Sequence, residues 1–394
     1  MKIPVFKQLM QAISSNEFQN IVSKYAGDKY SKNFSSWDHL QLMIYFQLAG
    51  RTSIRDVINS LKSIGSDLFH SNLKVPSRNN LSHQNSKRDY RIFRDTFYKL
   101  KDKLSGISAL SKRSRFKFSM PVKSFDSSTI SLCKDLFEWA KFRKNKSGIK
   151  MHTLLNNETK VPDFMEITEA RGHDGKPSKG LWKIPIEENT IYVLDRAYLC
   201  LKWLYSVVLS NSHFVMRLKT NTKFKVIKRF EVSEVNKGRG VILDQEIKFT
   251  GTKKDDYPIS LRRIKFKHFE TGKVFNFITD NFSLSAFTIS EIYKDRWQVE
   301  LFFKNIKQNL KVKKFIGLSE NAVQIQIWTA LIMLLLFEYA KFLSRASLGL
   351  KEFLSIIAQN IFSMKRVESL LHFTEWTDRI LKQNCTTQQF MLFQ

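Results

Sequence analysis

Four polar residues stand at helical spacing in the stretch EIYKDRWQVELFFKNIKQNLK. They are an aromatic hydroxyl, a guanidinium, a carboxylate and an ammonium, carried by Tyr293, Arg296, Glu300 and Lys307. At about 100° per residue, positions with these separations stay within roughly 60° of one another around an α-helix. A carboxylate can bind a hard cation, whereas a guanidinium or an ammonium can bind phosphate. The spacing therefore predicts one polar strip whose groups could act together.

A second, apolar strip runs beside the polar one on the same predicted helix. It consists of Ile292, Val299, Phe302, Phe303, Ile306 and Leu310. The helix should bury this strip and hold the polar strip at the edge of the core. The alternative is a solvated face of i,i+4 ion pairs, which is what most charged strips on helices are. Other parts of the chain must decide between these two interpretations.

Two aspartates lie in apolar, strand-like segments. Asp126 belongs to PVKSFDSSTISL and Asp195 to TIYVLDRAYL, each at or just past the predicted end of a strand. Adjacent strands of one sheet would place the two carboxylates side by side, and Glu300 on a helix packed against that sheet could complete a triad. Three hard oxygen donors suit Mg²⁺ or Mn²⁺. Two such ions about 3.5–4 Å apart activate the attacking hydroxyl and stabilise the leaving oxygen in phosphoryl transfer.

The chain is strongly basic. Its 394 residues carry a formal net charge of +29, which favours a polyanionic partner, either nucleic acid or an anionic membrane. The longest apolar run, IWTALIMLLLF, is shorter than the roughly 20 residues that span a bilayer, so it predicts a buried helix and no membrane partner. The amino terminus lacks the apolar segment of an export signal. The three cysteines are scattered, which suits a reducing cytoplasm. Nucleic acid is therefore the expected partner.

The pattern of the chain changes three times. Residues 1–110 have helical spacing, and the basic run SKRSRFKFS (111–119) predicts a linker or a DNA-facing arm. From residue 121 strands alternate with helices, which indicates an α/β layer architecture. Residues 220–270 are basic and β-prone, which predicts an inserted antiparallel sheet. Helices follow to the end, and we expect a core at 115–345 and a separate helical region at 346–394.

The two aspartate segments and the Tyr-x2-Arg-x3-Glu-x6-Lys pattern together resemble the bacterial DDE transposases of the insertion-sequence-4 family. The resemblance covers roughly residues 115–345 and has the same motif order. Residues 1–110 resemble, more loosely, the helical N-terminal domain that often precedes this core, which implies that they bind DNA or assemble the complex. It implies an RNase H-like fold, interrupted by a β-rich insertion in the 105 residues between Asp195 and Glu300. It also implies cut-and-paste DNA transposition, with a hairpin on the transposon end as the expected intermediate. One departure is Ala197, where the family commonly has glycine.

The resemblance assigns a role to each residue of the motifs. Asp126, Asp195 and Glu300 would bind two Mg²⁺ ions, which Mn²⁺ could replace. Three further residues would hold phosphates of the DNA end: Tyr293, Arg296 and Lys307. The expected partners are the terminal inverted repeats, the target DNA and a second copy of the chain on DNA, in a bacterial cytoplasm at the nucleoid.

Some interpretations stay open at this point. Trp297 is either a packed or end-wall aromatic or a residue that stacks on a displaced base. His173 and Asp174, in RGHDGKPS, are either a turn or a metal or general-base site. A catalytically inactive DNA-binding relative and a nuclease or resolvase of the same fold are the competing functions, although all three carboxylates are present.

Overall fold

The computed structural model describes residues 3–65, 67–105, 115–143, 146–170, 181–252, 254–312 and 314–372. The first hundred residues are helical, as their spacing predicts: α1 Val5–Met10, α2 Ser15–Lys24, α3 Ser36–Leu48, α4 Ile54–Ile64, α5 Asp67–Ser71, α6 Arg78–Lys87 and α7 Arg91–Ser105.

The middle of the chain carries the strands and two helices. In order they are β1 Val122–Leu132, β2 Lys141–Arg143, β3 Lys146–Asn156, β4 Pro162–Glu169, β5 Ile191–Leu194, α8 Leu201–Leu209, β6 His213–Arg217, β7 Phe224–Phe230, α9 Glu234–Gly238, β8 Val241–Phe249, β9 Leu261–Lys267 and β10 Val274–Thr279. Four further helices follow within the described residues: α10 Ala286–Asp295, α11 Trp297–Asn309, α12 Glu320–Ser344 and α13 Leu350–Asn360.

The chain folds into two compact units, and the division between them falls within α11. One unit comprises residues 1–111 and 305–394, and the other comprises residues 112–304. This division differs from the predicted core at 115–345, because α12 packs on α3, α6 and α7 of the helical unit. The side chains of residues 322–337 are all buried, so α12 needs neighbours on every side. The amino-terminal helices provide those neighbours.

Helix α12 contains the longest apolar run of the chain. Among the described residues, it alone is long and apolar enough to cross a membrane by length and composition. About two thirds of its most apolar window is buried within the protein, as expected for the core helix of the helical unit. This agrees with the sequence-based expectation of a buried helix.

Local capping explains where several helices begin. Ser35 caps α3, as its sequence predicts: its Oγ accepts from the Asp38 backbone N–H at 3.1 Å, and the Asp38 carboxylate accepts from the Ser35 N–H at 2.8 Å. This reciprocal pair is a capping box. Ser285 likewise caps α10, accepting from the Thr288 N–H at 3.1 Å. The start of the helix that carries the site is thus encoded locally.

The second unit is built on one ten-stranded sheet. Strands β4, β3 and β1 are antiparallel neighbours, and β1, β5 and β6 are parallel neighbours. Three antiparallel strands followed by two parallel ones form an RNase H-like core, which confirms the predicted fold class. Helix α8 connects β5 to β6, because parallel strands need such a crossover.

The predicted β-rich insertion extends this same sheet. Strand β10 pairs antiparallel with β6, and β9, β8 and β7 follow outward in that order. The outer strand, β7, exposes most of its residues, including Lys225, Lys228 and Arg229. The insertion therefore adds a basic edge to the catalytic sheet instead of forming a separate layer.

Candidate active site

The strand register places Asp126 and Asp195 in adjacent positions. Phe125 of β1 is opposite Leu194, the last residue of β5, and each aspartate directly follows one of these two residues. The prediction that Asp126 ends its strand is wrong, because β1 continues to Leu132 through its pairing with β3. The pairing with β5 does end here, so both carboxylates lie where the two parallel strands separate.

The row of residues that contains Asp126 and Asp195 continues onto the next strand, β6. There it includes Arg217, which the sequence did not indicate as a site residue. Leu194 is opposite Met216, so Arg217 follows in the row next to Asp195. Because side chains alternate between the two faces of a sheet, Arg217 projects on the same face as Asp126 and Asp195. Its guanidinium lies over the Phe275 ring, 5.0 Å from the centroid. Arg217 therefore adds a basic side chain to the face that carries the acidic pair, with its guanidinium directed toward β10 and its charge acting on Tyr293.

The predicted single helix is divided at Arg296. Tyr293 lies on α10, whereas Glu300 and Lys307 lie on α11. Backbone hydrogen bonds of the i,i+3 type, from the Arg296 N–H to Tyr293 and from the Val299 N–H to Arg296, tighten the chain at this point. Arg296 keeps helical dihedral angles, so the polar strip stays continuous despite the change of hydrogen bonding.

Arg296 connects two of the predicted metal ligands. Its Nη1 lies 3.1 Å from Oδ2 of Asp126, and its Nη2 lies 2.5 Å from Oε1 of Glu300. The side chain is 14% exposed, and its buried Nε has no hydrogen-bond partner in the described part of the chain. The hydroxyl of Tyr293 donates to Oδ1 of Asp195 at 3.3 Å. Tyr293 thus contacts Asp195, and Arg296 connects Asp126 to Glu300.

The electrostatics of the cluster reflect burial and mutual repulsion. Burial raises the pKa of Asp126, and the Glu300 and Asp195 carboxylates raise it further, against the Ser127 N–H and Arg296, which lower it. Burial also raises the pKa of Tyr293 to about 12. Burial opposes the charge on Arg296, but Tyr293 and the two contacting carboxylates outweigh it and raise the pKa of that guanidinium.

A second tyrosine, Tyr198, contacts Asp126 and its neighbour Ser127. Tyr198, in the short 3₁₀ turn Arg196–Tyr198 after Asp195, is buried. Its hydroxyl donates to Oγ of Ser127 at 2.8 Å and lies 3.4 Å from Oδ1 of Asp126. The second aspartate segment, DRAY, therefore contributes both a carboxylate and a group that positions the first carboxylate.

The donor set suits divalent cations, although the carboxylates do not form a ready-made cluster. Among the described residues, no three side chains of the metal-binding types converge as ligands. The Arg296 guanidinium lies between Asp126 and Glu300 instead and provides the positive charge there. Hard carboxylate oxygens, partly exposed and crowded by like charge, are the ligands that Mg²⁺ and Mn²⁺ prefer. The residues therefore fit the metals once Arg296 moves from one of its partners.

An aromatic pocket of about 170 Å³ is lined by Tyr293 and Arg296, which contact the site carboxylates. Tyr293, Arg296 and Trp297 line it on one side, with Phe266 and Phe277 on the sheet side. Trp297 is 56% exposed, so it is not packed in the core, and its position at the pocket fits both an end-wall aromatic and a residue that stacks on a base. A planar group entering this pocket would meet aromatic faces beside a guanidinium.

The remaining predicted residues are less informative. Lys307 is half-buried two turns beyond Glu300 on α11, past the division between the units. The apolar strip from Ile292 to Leu310 is buried, as predicted. His173 and Asp174 lie outside the described residues. His152 is fully buried and contacts the Thr168 hydroxyl at 3.1 Å within the sheet.

Comparison with known families gives two matches. The profile described as "Transposase DDE domain" matches residues 117–336, which is more than half of the chain. A second profile, described as a domain of unknown function (DUF4372), matches residues 1–74.

Individual relatives are consistent with the first match. A Sinorhizobium fredii protein named as transposase y4zB is 29% identical over 75% of this chain and 80% of its own. A Synechocystis protein named as a transposase for insertion sequence element IS4SA is 28% identical over 73% of this chain and 76% of its own. A Geobacillus stearothermophilus protein named for element IS5377 is 30% identical over 58% of each.

One solved structure also aligns, at a low level of similarity. The piggyBac transposase synaptic complex with hairpin DNA aligns with 98% of this chain and 85% of that one, at a TM-score of 0.44 and 12% identity. That similarity is too low to carry an inference. The family match and the motifs it covers are sufficient: the chain belongs to the DDE transposases, and two of the relatives carry names of transposases for insertion sequence elements.

Proposed function

We propose that this transposase cuts and joins DNA by metal-dependent phosphoryl transfer at Asp126, Asp195 and Glu300. The proposal rests on one observation: the two aspartates occupy adjacent positions at the end of paired strands, and Arg296 connects Asp126 to Glu300. Such a concentration of negative charge is costly without cations. The same negative charge can bind divalent ions, and those ions can in turn bind the oxygens of a phosphate.

The carboxylates of Asp126, Asp195 and Glu300 would hold two Mg²⁺ or Mn²⁺ ions. When bound, such ions lower the pKa of the attacking water and neutralise charge on the leaving oxygen. In cleavage, water gives phosphorus a new hydroxyl, the bond to the 3′ oxygen breaks, and water also supplies the proton of the free 3′-OH. In joining, this 3′-OH attacks a second phosphorus and displaces the 3′ oxygen bonded to it.

The basic and aromatic residues hold the DNA backbone. Arg296 can bind a phosphate through two N–H groups, whereas Lys307 acts as a point charge. Arg217 lies in the same row of the sheet as Asp195, and we propose that it stabilises charge on the phosphate that is attacked. The Tyr293 hydroxyl, kept protonated by its raised pKa, donates a hydrogen bond to Asp195. Arg217 and Tyr293 are supplied by a strand and a helix of the same unit, which favours a fixed geometry.

Trp297 supports a hairpin intermediate on the transposon end. Forming a hairpin requires a sharp bend of the strand, and a displaced base relieves this strain. The exposed indole beside the pocket of Phe266 and Phe277 offers a surface on which a base can stack. We place the displaced base in this pocket.

The complete reaction requires two DNA ends and a target. We propose that a homodimer forms on DNA, with one active site for each end, and that the free chain is a monomer or a weak dimer. The net charge of +29 supports DNA as the organising partner. The free thiols of Cys133 and Cys200 suit a reducing bacterial cytoplasm, with action at the nucleoid.

Product analysis on DNA carrying the ends of the element tests the proposal. Purified full-length protein with labelled duplexes and Mg²⁺ should yield nicked, hairpin and joined products, and chelation with EDTA should stop all three. Cutting without joining would favour a nuclease. Tight binding without cutting, in either Mg²⁺ or Mn²⁺, would contradict the proposal. It would favour an inactive DNA-binding relative, in which Arg296 permanently replaces the cations.

A further inference from the structure

We propose that α6, Arg78–Lys87, is the helix that reads base sequence in the major groove of the element's ends. It lies in the helical unit, beyond the amino-terminal profile match and before the DDE match. The inference rests on the proposed function, because cutting at defined ends requires that some part of the chain recognise them. It assigns that task to one surface with named residues.

The exposed face of α6 is composed of side chains that form hydrogen bonds. The buried positions of the helix are Leu81 and Asn85, one turn apart. The exposed positions recur in pairs on successive turns, so they share one face: Arg78, Asn79, Ser82, His83, Ser86 and Lys87. This face contains amide, hydroxyl, imidazole and guanidinium groups and no apolar side chain. It is suited to contact a surface of donors and acceptors.

The charge of this segment is of one sign. The 21 residues 68–88 contain no Asp or Glu and four Lys or Arg. Other helices of the same unit carry acidic residues: Glu17 on α2, Asp56 on α4 and Asp95 on α7. Ordinary solvated helices mix both signs, whereas carboxylates facing DNA would be repelled by its phosphates. The absence of acidic residues here fits a DNA-facing surface.

The dimensions and side-chain types match the major groove. A helix of ten residues is about 15 Å long, and the groove is about 12 Å wide, which admits one helix. Arg pairs with guanine, Asn pairs with adenine, and Ser contacts either through donor and acceptor patterns unique to that groove. Residues near the start of such a helix reach the base edges. We therefore assign base contacts to Arg78, Asn79 and Ser82.

The inner side of α6 is fixed to its unit by polar contacts. Asn85 Oδ1 lies 3.2 Å from Nε2 of His39, and the Asn321 side chain donates to the Asn85 and Arg88 carbonyl oxygens at 3.0 and 2.7 Å. The guanidinium of Arg88 is buried and donates to the Phe34 carbonyl oxygen at 2.8 Å. A helix fixed on one side loses little entropy when its other side binds DNA.

The test uses the full-length protein and a DNA selected by it. The wild-type protein, in EDTA so that no cutting occurs, selects duplexes from a random pool. Fluorescence anisotropy then compares the selected duplex with a shuffled one of the same composition. We expect Arg78→Ala and Asn79→Ala each to weaken binding to the selected duplex by about 5- to 150-fold. Binding to the shuffled duplex should change far less.

Two matched controls lie on another exposed helix of the same unit. Lys351→Ala removes a positive charge and Gln359→Ala removes an amide, both from exposed positions of α13. Neither should change the preference for the selected duplex. Circular dichroism before binding confirms that all four variants fold.

Three outcomes would overturn the inference. The wild-type protein selects no common sequence, or the variants keep the preference of the wild type, or the controls lose it equally. If α6 instead binds an acidic protein, the variants keep their DNA preference, which is the second outcome. Since selection and binding run without metal, failure of the cutting reaction would leave this result unaffected.

Discussion

The guanidinium of Arg296 joins Asp126 and Glu300, with its two terminal nitrogens 3.1 and 2.5 Å from their carboxylate oxygens. One protein cation thus occupies the position between two ligands that are expected to share a divalent ion. The guanidinium and the metals therefore compete for the same negative charge. DNA can resolve this competition, because a phosphate offers Arg296 a new partner at the moment when the metals are needed.

This competition predicts opposite effects of Arg296→Ala on metal binding and on cutting. In the absence of DNA, removing the guanidinium should lower the Mn²⁺ concentration at which half of the sites are occupied by about tenfold. A tenfold change in affinity corresponds to only about 1.4 kcal/mol of relieved competition for the carboxylates. Cutting should fall, because a phosphate contact is lost. Calorimetric titration with Mn²⁺ measures the first effect, with Arg115→Ala as the control from an ion pair with Glu291. Weaker Mn²⁺ binding in Arg296→Ala would contradict the competition.

Arg217 should affect the chemical step more than DNA affinity. Its place in the row of Asp195 suits stabilisation of charge on the attacked phosphate, and loss of one such donor typically costs about 10²- to 10³-fold in rate. We expect Arg217→Ala to slow single-turnover cutting by about that factor, and Arg217→Lys to recover part of it. Lys202→Ala, at an exposed position of α8, is the control. A loss of affinity without a loss of rate would show that Arg217 only binds DNA.

Trp297→Ala should impair hairpin formation selectively. Displacing a paired base costs a few kcal/mol, and a mismatched base costs less. The variant should therefore form hairpins slowly on fully paired ends and recover on ends with a mismatch at the tip, while the first nick is unaffected. Gel analysis of both substrates measures this, with Trp182→Ala as an exposed-tryptophan control. Equal loss on both substrates would assign Trp297 a role other than holding a base.

The stability of the helical unit should fall in acid because of His39. Burial lowers the pKa of this residue to about 3, and nearby Arg88 adds to the effect. Between pH 6.5 and about pH 3, the unfolded chain therefore binds a proton at His39 that the folded chain does not. The contribution of neutral His39 to the free energy of unfolding is fully present above pH 6.5 and decreases below it. One proton corresponds to a slope of about 1.4 kcal/mol per pH unit.

Chemical unfolding between pH 7 and pH 4, followed by circular dichroism, measures this slope. His39→Gln keeps an amide donor near Asn85 and should remove most of the dependence. His372→Gln, at an exposed position, should leave it unchanged. An identical slope in wild type and His39→Gln would contradict the assignment.

Much of the site follows from local sequence patterns. Asp126 and Asp195 stand in short apolar segments that form strands on their own propensity, and the motifs place them in a known order. The apolar strip beside Glu300 has the helical period and is buried as expected. These features depend on neighbours within a few residues, which is why the sequence was sufficient.

Other features depend on contacts between distant segments. Arg217 joins the site only because β5 and β6 pair in parallel with Leu194 opposite Met216, a register that no local pattern specifies. The change of hydrogen bonding at Arg296 has no glycine or proline to mark it. A helix such as α12, whose middle is apolar and buried on every side, can pack in any core, so its partners were not predictable from composition.

The most direct test of the account is cutting by Glu300→Gln, an isosteric change that removes one proposed metal ligand. Single-turnover cleavage and DNA binding are measured on the same labelled end, with Glu234→Gln at an exposed position of α9 as the control. We predict that Glu300→Gln loses cutting by about 10³-fold or more while its DNA affinity stays within about threefold, because affinity depends mainly on Lys and Arg. Cutting by Glu300→Gln at the rate of the control would contradict the proposed role of this carboxylate.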